Sequence, residues 1–374
     1  MHRPRLKELG EVAGFFLRLG LTAFGGPAAH VAMMEREVVA KRGWLSREAF
    51  LDLLGATTLI PGPGSTQMAM ALGWRRAGWA GLALGCCCFI LPAAGITLAL
   101  AWAYVRFGRL PQVHGLLYGI KPVVLAIVAQ ALWSLGRTAF RRRALMLLGA
   151  LALAAALVGV HPVLVLFGAG LAAVWAGGRR SGALAAAPAA LPLAGAAAAP
   201  TLGALLLFFL KIGSILFGSG YVLLAFLKAD LVDHWHWLSQ GQLLDAVAAG
   251  QVTPGPVFTT ATFIGYLLGG FPGAALATAG IFLPSFAFVA LLGLLVPRLR
   301  GNPGMGRFLD GVNAGALALM AAVSLTLLGS AVVDPWTLML GCAALGALLR
   351  WRINPAWLVL AGGAAGMALT ALRY

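Results

Sequence analysis

Two pairs of glycine- and proline-rich motifs interrupt apolar segments of this sequence and could bind a small anion. The first pair is Phe24-Gly25-Gly26-Pro27 with Pro61-Gly62-Pro63, and the second is Phe217-Gly218-Ser219-Gly220 with Pro254-Gly255-Pro256. Broken backbone at membrane depth is tolerated only where protein or a water-filled cavity satisfies its polar groups, and proline favours the first turn of a new helix. Each break therefore predicts the start of a half-helix, whose free N–H groups and positive dipole end favour an anion.

Small hydroxyl and amide side chains flank the Pro-Gly-Pro breaks and could donate hydrogen bonds to oxyanion oxygens. They are Ser65, Thr66 and Gln67 after the first break, Thr259, Thr260 and Thr262 after the second, and Thr57, Thr58, Gln251 and Thr253 just before them. The competing interpretation is that Gly and Pro are common in membrane helices and that Ser and Thr hold such helices together. Four breaks at symmetric positions favour a binding site.

Three cations within apolar segments could balance the charge of an oxyanion. Arg18 and Lys211 stand at equivalent places, six residues before the first break of each half, and Lys121 begins the apolar span 117–136. An ionisable residue in a membrane span costs roughly 2.5–3.5 kcal/mol or more and usually marks a transport pathway. Snorkelling of the side chain to the interface is the alternative, above all for Lys121.

Few acidic residues are placed to relay protons. The candidates are Glu35, after the first break, and the equivalent residues Asp52 and Asp245, at the entrance of the two Pro-Gly-Pro segments. Asp52 and Asp245 could instead cap helix N-termini, and the sequence favours that interpretation.

The sequence predicts neither a metal site nor a cofactor. Cys86, Cys87 and Cys88 are adjacent in an apolar span, so they point around a helix rather than toward one ion. Asp230, Asp233, His234 and His236 have the residue types of a metal site, but the tryptophans among them favour a belt at the membrane interface.

The composition places these motifs in a lipid bilayer. Of the 374 residues 61% are hydrophobic and only 10% are charged, which excludes a soluble globule. Uncharged segments close to the spanning length of about 20 residues recur, with the charges between them. These segments are 78–105, 117–136, 144–160, 162–177, 203–227, 274–296, 314–333, 336–349 and 355–372. Because the Lys and Arg residues flank the apolar spans, the net charge of +16 predicts membrane orientation and not a nucleic-acid partner.

An internal repeat organises the chain. A shift of 193 positions superposes Trp44-Leu45-Ser46 on Trp237-Leu238-Ser239, and Pro61-Gly62-Pro63 on Pro254-Gly255-Pro256. The sequence therefore predicts a first repeat over 1–180, an Ala/Pro-rich linker over 181–200 and a second repeat over 201–374.

The loop charges predict that the two repeats are inverted. The loop 35–48 is basic, whereas its equivalent 228–241 carries Lys228 with two aspartates, so the positive-inside rule places the loops on opposite sides. Inversion is satisfied if the segment 50–73 is re-entrant, which leaves the N-terminal tail outside. It is also satisfied if 11–34 is a second broken hairpin and the linker crosses the membrane. The fold class predicted is an all-α polytopic membrane protein with two inverted-topology repeats and broken or re-entrant helices.

These motifs resemble the chromate ion transporter family, in which an FGGP-type motif and a PGP motif are each repeated in long, two-domain members. The first half carries both motifs as Phe24–Pro27 and Pro61–Pro63, while the second has Ser219-Gly220 in place of Gly26-Pro27. The resemblance covers nearly the whole chain outside the linker. It implies an oxyanion substrate of the chromate or sulfate type and efflux driven by the membrane potential or a proton gradient.

The function expected is alternating-access efflux of chromate across a bacterial inner membrane, with the four breaks, Arg18 and Lys211 around one central cavity. The alternative is a sulfate importer or a general anion channel of the same fold. A membrane-embedded enzyme is not expected, because no span carries a close acidic pair or a His-x-x-x-His pattern. The partners expected are the anion and the lipid bilayer, and a homodimer is left open.

Overall fold

The computed structural model describes residues 6–24, 26–108, 110–140, 142–176, 199–217, 220–292, 303–351 and 353–372. These residues form helices and connecting turns, and no β-strand occurs among them. The first half contains α1 (Leu6–Thr22), α2 (Gly26–Glu35), α3 (Arg47–Thr57), α4 (Gly64–Phe107), α5 (Pro111–Ala139), α6 (Arg143–Leu157) and α7 (Pro162–Ala176). The second contains α8 (Leu202–Ile215), α9 (Leu223–Leu227), α10 (Gln240–Val252), α11 (Thr260–Ala290), α12 (Pro303–Ala331), α13 (Pro335–Trp351) and α14 (Pro355–Ala371).

The all-α polytopic membrane fold predicted from the sequence is confirmed. Four of the described helices are long and apolar enough to cross a bilayer: Gly64–Phe107, Pro111–Arg137, Val257–Ala290 and Gly304–Ala331. Shorter apolar helices of 14 to 17 residues accompany them. These rise only about 21–26 Å, slightly less than the hydrocarbon thickness.

Helices α4 and α11 each fold back on themselves at a break. Gly78 and Gly270, with φ of 59° and 61°, supply the left-handed backbone that turns the chain. In α4 the two arms lie so close that a Cβ on Gly73 would meet the Gly81 carbonyl oxygen at 2.1 Å. Each helix is therefore a short arm, 64–76 or 260–268, packed antiparallel against a long arm, 79–107 or 271–290.

The first half begins with two hairpins whose ends meet on one face of the protein. Arg76, at the end of the α4 short arm, pairs with Glu11 of α1 at 2.7 Å and lies over the Trp44 ring at 5.5 Å. The Trp44 ring in turn contacts Phe15 of α1, with 6.0 Å between ring centroids. Segments 6–41 and 47–76 therefore each enter and leave on that face. Of the two topologies that the sequence left open, these contacts favour the one in which 11–34 is also a broken hairpin.

The corresponding part of the second half lies near the other end of the α4 long arm. This arm starts beside Arg76 and rises about 40 Å to its end, where the Tyr104 hydroxyl donates to Asp245 of α10 at 3.0 Å. On the same face, His161 in the α6–α7 turn contacts Asp230 at 3.2 Å. Helix α5 then runs back, so Arg142 lies on the side of Arg76. We call the side with Arg76 and Arg142 the arginine face and the side with His161 and Asp245 the histidine face.

The two halves interlock through their C-terminal helices. Helix α5 packs against α13 and α14 of the second half, and its equivalent α12 packs against α6 and α7 of the first. Glycines allow this close approach, since a Cβ on Gly119 would lie 1.9 Å from the Gly362 carbonyl oxygen. This exchange of helix partners between the halves holds their two N-terminal hairpin units against each other.

Candidate functional site

Both Pro-Gly-Pro motifs interrupt a helix, as the sequence predicts. Helix α3 ends at Thr57 and α4 begins at Gly64, while α10 ends at Val252 and a short 3-10 turn, Val257–Thr259, precedes α11. Gly62 and Gly255 have φ of 124° and 92°, a left-handed conformation that residues with a Cβ rarely adopt. The glycine in each motif is therefore required by the turn itself.

The four breaks meet through a reciprocal pair of backbone hydrogen bonds. The Gly62 N–H donates to the Leu216 carbonyl at 2.7 Å, and the Gly255 N–H donates to the Ala23 carbonyl at 2.8 Å. Leu216 and Ala23 are themselves equivalent in the repeat and precede the other two breaks. Gly25, Gly218 and Ser219 lie outside the described residues.

A cavity of about 850 Å³ runs from the arginine face to the first Pro-Gly-Pro break. Its buried end is lined by Gly62, Gly64 and Gln67, together with Pro27 and Phe217 from the other breaks. Its further polar lining, toward the exposed Arg142 and Asp310, is Thr57, Thr58, Gln130, Ser134 and Asn313. Since the described lining carries one cation and one carboxylate, backbone and neutral donors have to supply the attraction for an anion.

The buried end of the cavity offers such donors. The N–H groups of Gly64 and Ser65 precede the first bonds of α4, in which the Thr66 and Gln67 N–H groups donate to the Pro63 carbonyl. The Gln67 amide donates to the Pro61 carbonyl and to the Ser285 hydroxyl, the latter at 3.4 Å. The buried Thr66 hydroxyl has no hydrogen-bond partner among the described residues. A helix N-terminus with an unused hydroxyl beside it can accommodate an oxyanion.

Beside the second Pro-Gly-Pro break the equivalent space is collapsed to about 10 Å³, and a separate cavity of about 330 Å³ lies on the histidine face, lined by His161, Lys228 and Thr326. The lining of the collapsed space includes Gly220, Gln251, Val257 and Thr260, the repeat equivalents of Pro27, Thr58, Gly64 and Gln67. Leu223, Leu224 and Leu227 fill the remaining space. These four positions therefore surround open space in one half and a closed void in the other.

The second Pro-Gly-Pro break is filled by three threonines. The buried Thr97 hydroxyl contacts those of Thr253 and Thr259 at 3.3 and 3.2 Å. In the first half Ile60 and Val289 stand at the positions of Thr253 and Thr97. This substitution explains why the hydroxyl of Thr66, the equivalent of Thr259, is left without a partner.

Arg18 and Lys211, expected at a central cavity, are not brought there. Arg18 is exposed on α1, and neither residue lines the cavity. The Lys211 ammonium is paired with the buried Asp230 at 3.0 Å, on the histidine face. Burial raises the pKa of Asp230, but the hydrogen bond from His161 and the ammonium of Lys211 lower it by more, so the carboxylate is charged.

The acidic candidates have separate environments. Glu35 pairs with Arg47 at 3.3 Å and Asp52 is exposed, whereas Asp245 is 5% exposed and contacts Lys121 at 3.4 Å. The interpretation of Asp52 and Asp245 as helix caps is wrong, because other residues hold those positions. Ser46 caps α3 and Ser239 caps α10, each accepting a hydrogen bond from a backbone N–H three residues on.

Several residues of the site were missed by the sequence reasoning. His30 is fully buried and bridges the Ala23 carbonyl and the Ser65 hydroxyl, at 3.2 and 3.4 Å. Arg142 and Asp310, at the mouth of the cavity, were not among the candidate site residues either. The position of His30, four residues into the half-helix that follows the first break, is the signal that could have found it.

The chain is similar to known proteins along almost its whole length. A family model described as "Chromate transporter" matches residues 10–174 and again residues 203–367, an offset of 193 at both ends. The chain is 33% identical over 375 residues to the chromate transport protein of Cupriavidus metallidurans, covering 97% of this chain and 94% of the relative. It is 32% identical to the probable chromate transport protein of Synechococcus elongatus (95% and 93% covered) and to the chromate transport protein of Pseudomonas aeruginosa (94% and 90% covered). No solved structure matches the chain.

Proposed function

Because this chain belongs to the chromate transporter family, we propose that it is a secondary active transporter that moves chromate out of the cytoplasm of a bacterium. The observation that carries the proposal is the cavity that ends at the N-terminus of α4. There the anion binds to the N–H groups of Gly64 and Ser65 and to the Gln67 amide, which exchanges its long contact with Ser285 for the anion, while the buried Thr66 hydroxyl lies beside the site. Pro61, Gly62 and Pro63 hold the helix start at this depth, and Pro27 closes the site from the other break.

The carrier works by alternating access between two inverted halves. Support comes from the open and collapsed cavities at equivalent positions, and from the placement of the Trp44 loop and α10 at opposite ends of the α4 long arm. In the second state the roles exchange, so that Pro254, Gly255, Pro256, Gln251, Thr253 and Thr259 surround the open end. Inverted repeats with broken helices at the midplane are a common design for such carriers.

Outward transport is supported by charge. The arginine face is the cytoplasmic one by the positive-inside rule, and Arg142 at the cavity mouth attracts anions there. In the second half, the residue equivalent to Arg142 after a one-residue gap in the repeat alignment is Asp334, which repels anions. A membrane potential that is negative inside drives a dianion outward by roughly 4–5 kcal/mol per 100 mV, so no proton needs to accompany it.

Uptake of labelled chromate into everted vesicles of the bacterial inner membrane tests the proposal. We expect uptake to require this protein and an inside-positive potential, and to be lost in Gln67→Leu. Gln112→Leu, which changes an exposed glutamine at the start of α5, is the matched control and should transport normally. Equal uptake with and without the protein would exclude chromate.

Two further arms separate the alternative functions. Labelled sulfate in place of chromate tests a sulfate carrier. Trans-stimulation, in which unlabelled chromate on the far side of the membrane accelerates the entry of labelled chromate, separates a carrier from a channel.

A further inference from the structure

Lys121 and Asp245 form an ion pair between the halves at the closed side of the protein. The Lys121 Nζ lies 3.4 Å from Asp245 Oδ1, and Tyr104 donates to Asp245 Oδ2 at 3.0 Å. The lysine belongs to α5 and the carboxylate to α10 of the other half. A contact of 3.4 Å is long for a charge-assisted bond, whose usual length is about 2.7–2.9 Å, and Oδ1 receives no hydrogen bond from the described residues.

The repeat shows where Lys121 would stand in the opposite state. With a one-residue gap in the repeat alignment, the equivalent of Lys121 is Asn313, which lines the open cavity. The same gap aligns Pro92 with Pro284. The equivalent of Asp245 is Asp52, which is exposed on the open side, whereas Asp245 is 5% exposed. Opening the histidine side therefore turns Lys121 toward the cavity and withdraws the carboxylate from it.

Gln251, six residues beyond Asp245 on the same helix, supplies a second group on the closed side. It lines the collapsed cavity, is 8% exposed, and its Nε2 has no hydrogen-bond partner among the described residues. A buried amide donor left unsatisfied destabilises the closed state, and an anion acceptor would satisfy it. Its equivalent in the open half, Thr58, offers one hydroxyl. The closed side thus holds the Lys121 ammonium and the free Gln251 amide donor, where the open side has the Asn313 amide and the Thr58 hydroxyl.

We propose that Lys121 and Gln251 form the anion site of the state open at the histidine face, where the anion replaces Asp245 as the partner of Lys121. The inference rests on the proposed function and adds a second, stronger anion site to it. When that side closes, Asp245 returns to Lys121 and displaces the anion. An oxyanion is the ligand class because the site joins an ammonium to a neutral N–H donor.

The test measures chromate exchange at each face separately. Right-side-out and everted vesicles from the same cells, preloaded with chromate, report the KM for labelled chromate at the histidine and arginine faces. Lys121→Asn and Gln251→Thr copy the open half. Each should raise KM at the histidine face by about 10- to 100-fold, the value of a hydrogen bond to a charged group, and leave KM at the arginine face unchanged. The reciprocal Asn313→Lys should lower KM at the arginine face.

Controls separate this site from general loss of charge or folding. Arg106→Gln removes an exposed cation at the histidine-face end of α4, outside the described cavity linings, and should change neither KM. Lys121→Arg should retain the wild-type values. Should Lys121→Asn not fold, Asp245→Asn tests the same pair: it should speed labelling of Leu224→Cys, in the collapsed wall, by an impermeant maleimide applied to the histidine face.

Equal changes of KM at both faces, no change in Lys121→Asn, or unchanged labelling in Asp245→Asn would overturn the inference while leaving chromate transport intact. Absence of exchange in wild-type vesicles would instead reject the proposed function, and this site with it.

Discussion

Replacing Gly62 by alanine tests whether the break at the first Pro-Gly-Pro motif is as tightly determined as the contacts indicate. Its φ of 124° costs a residue with a Cβ roughly 1–3 kcal/mol. The new methyl group would also lie 2.2 Å from the Ser285 hydroxyl and 2.5 Å from the Gln67 amide nitrogen. Displacing such neighbours in a packed interior typically costs about 1–3 kcal/mol, so Gly62→Ala should destabilise the protein by roughly 2–6 kcal/mol.

Thermal unfolding of the purified protein in detergent, followed by size-exclusion chromatography, measures the loss. Gly64→Ala is the matched control, because a methyl group two residues further on meets no atom within 4 Å. It should change stability by no more than about 0.5 kcal/mol. Adding Ser285→Ala, which copies Ala93 of the other half, should recover part of the loss in Gly62→Ala by removing one contact but not the backbone strain.

The reasoning would be refuted if Gly62→Ala unfolded at the wild-type temperature. It would also be refuted if Gly64→Ala were equally destabilised, since the effect would then come from any added methyl group near the break.

Three smaller predictions follow from the same contacts. Arg142→Gln should raise the chromate KM at the arginine face by roughly 3- to 10-fold at low salt. The increase should be smaller at high salt, because the charge is exposed at the mouth of the cavity. Arg143→Gln, outside the described lining, is its control. Arg18→Gln should change that KM by no more than about two-fold, since the side chain is exposed on α1, and a large increase would restore the role expected from the sequence. Ser239→Ala should lower stability by about 1 kcal/mol in thermal unfolding because it removes a capping box, whereas Ser46→Ala should cost less because only one cap bond is present there.

The sequence predicted the elements of the site better than its side chains. The helix breaks have a strong local cause. Pro and Gly restrict the backbone dihedral angles at 61–63 and 254–256 whatever surrounds those residues in the fold. The polar lining depends instead on which helix of the other half arrives beside the break. Asn313 and Gln130 reach the cavity only because α12 and α5 exchange partners between the halves, and no residue spacing records that exchange.

The misplaced cations have the same cause. Arg18 and Lys211 are equivalent in the repeat, so the sequence suggested one shared role near the centre. The structure gives them different surroundings, because Lys211 has Asp230 as a partner on the histidine face while the equivalent of Asp230 is Glu37, whose carboxylate pairs with Lys41 and Arg42. Residues that are equivalent in the repeat have equivalent backbone positions. The ion-pair partner of each charged side chain, however, depends on the other residues of its own half.

Differences between equivalent residues of the two halves can also give such a carrier a preferred state. Two identical halves would make the states open at either face equal in energy, whereas here one side is closed by Lys121 and Asp245 and the equivalent positions on the other side hold Asn313 and Asp52. In the proposed mechanism the empty carrier is therefore biased toward the arginine face, and an anion shifts this equilibrium only by its difference in affinity for the two states. On the proposed sites, an anion bound more tightly at Lys121 than at Gly64 supplies that difference, so the ion pair proposed to close the histidine side without substrate is also the element through which substrate would open it.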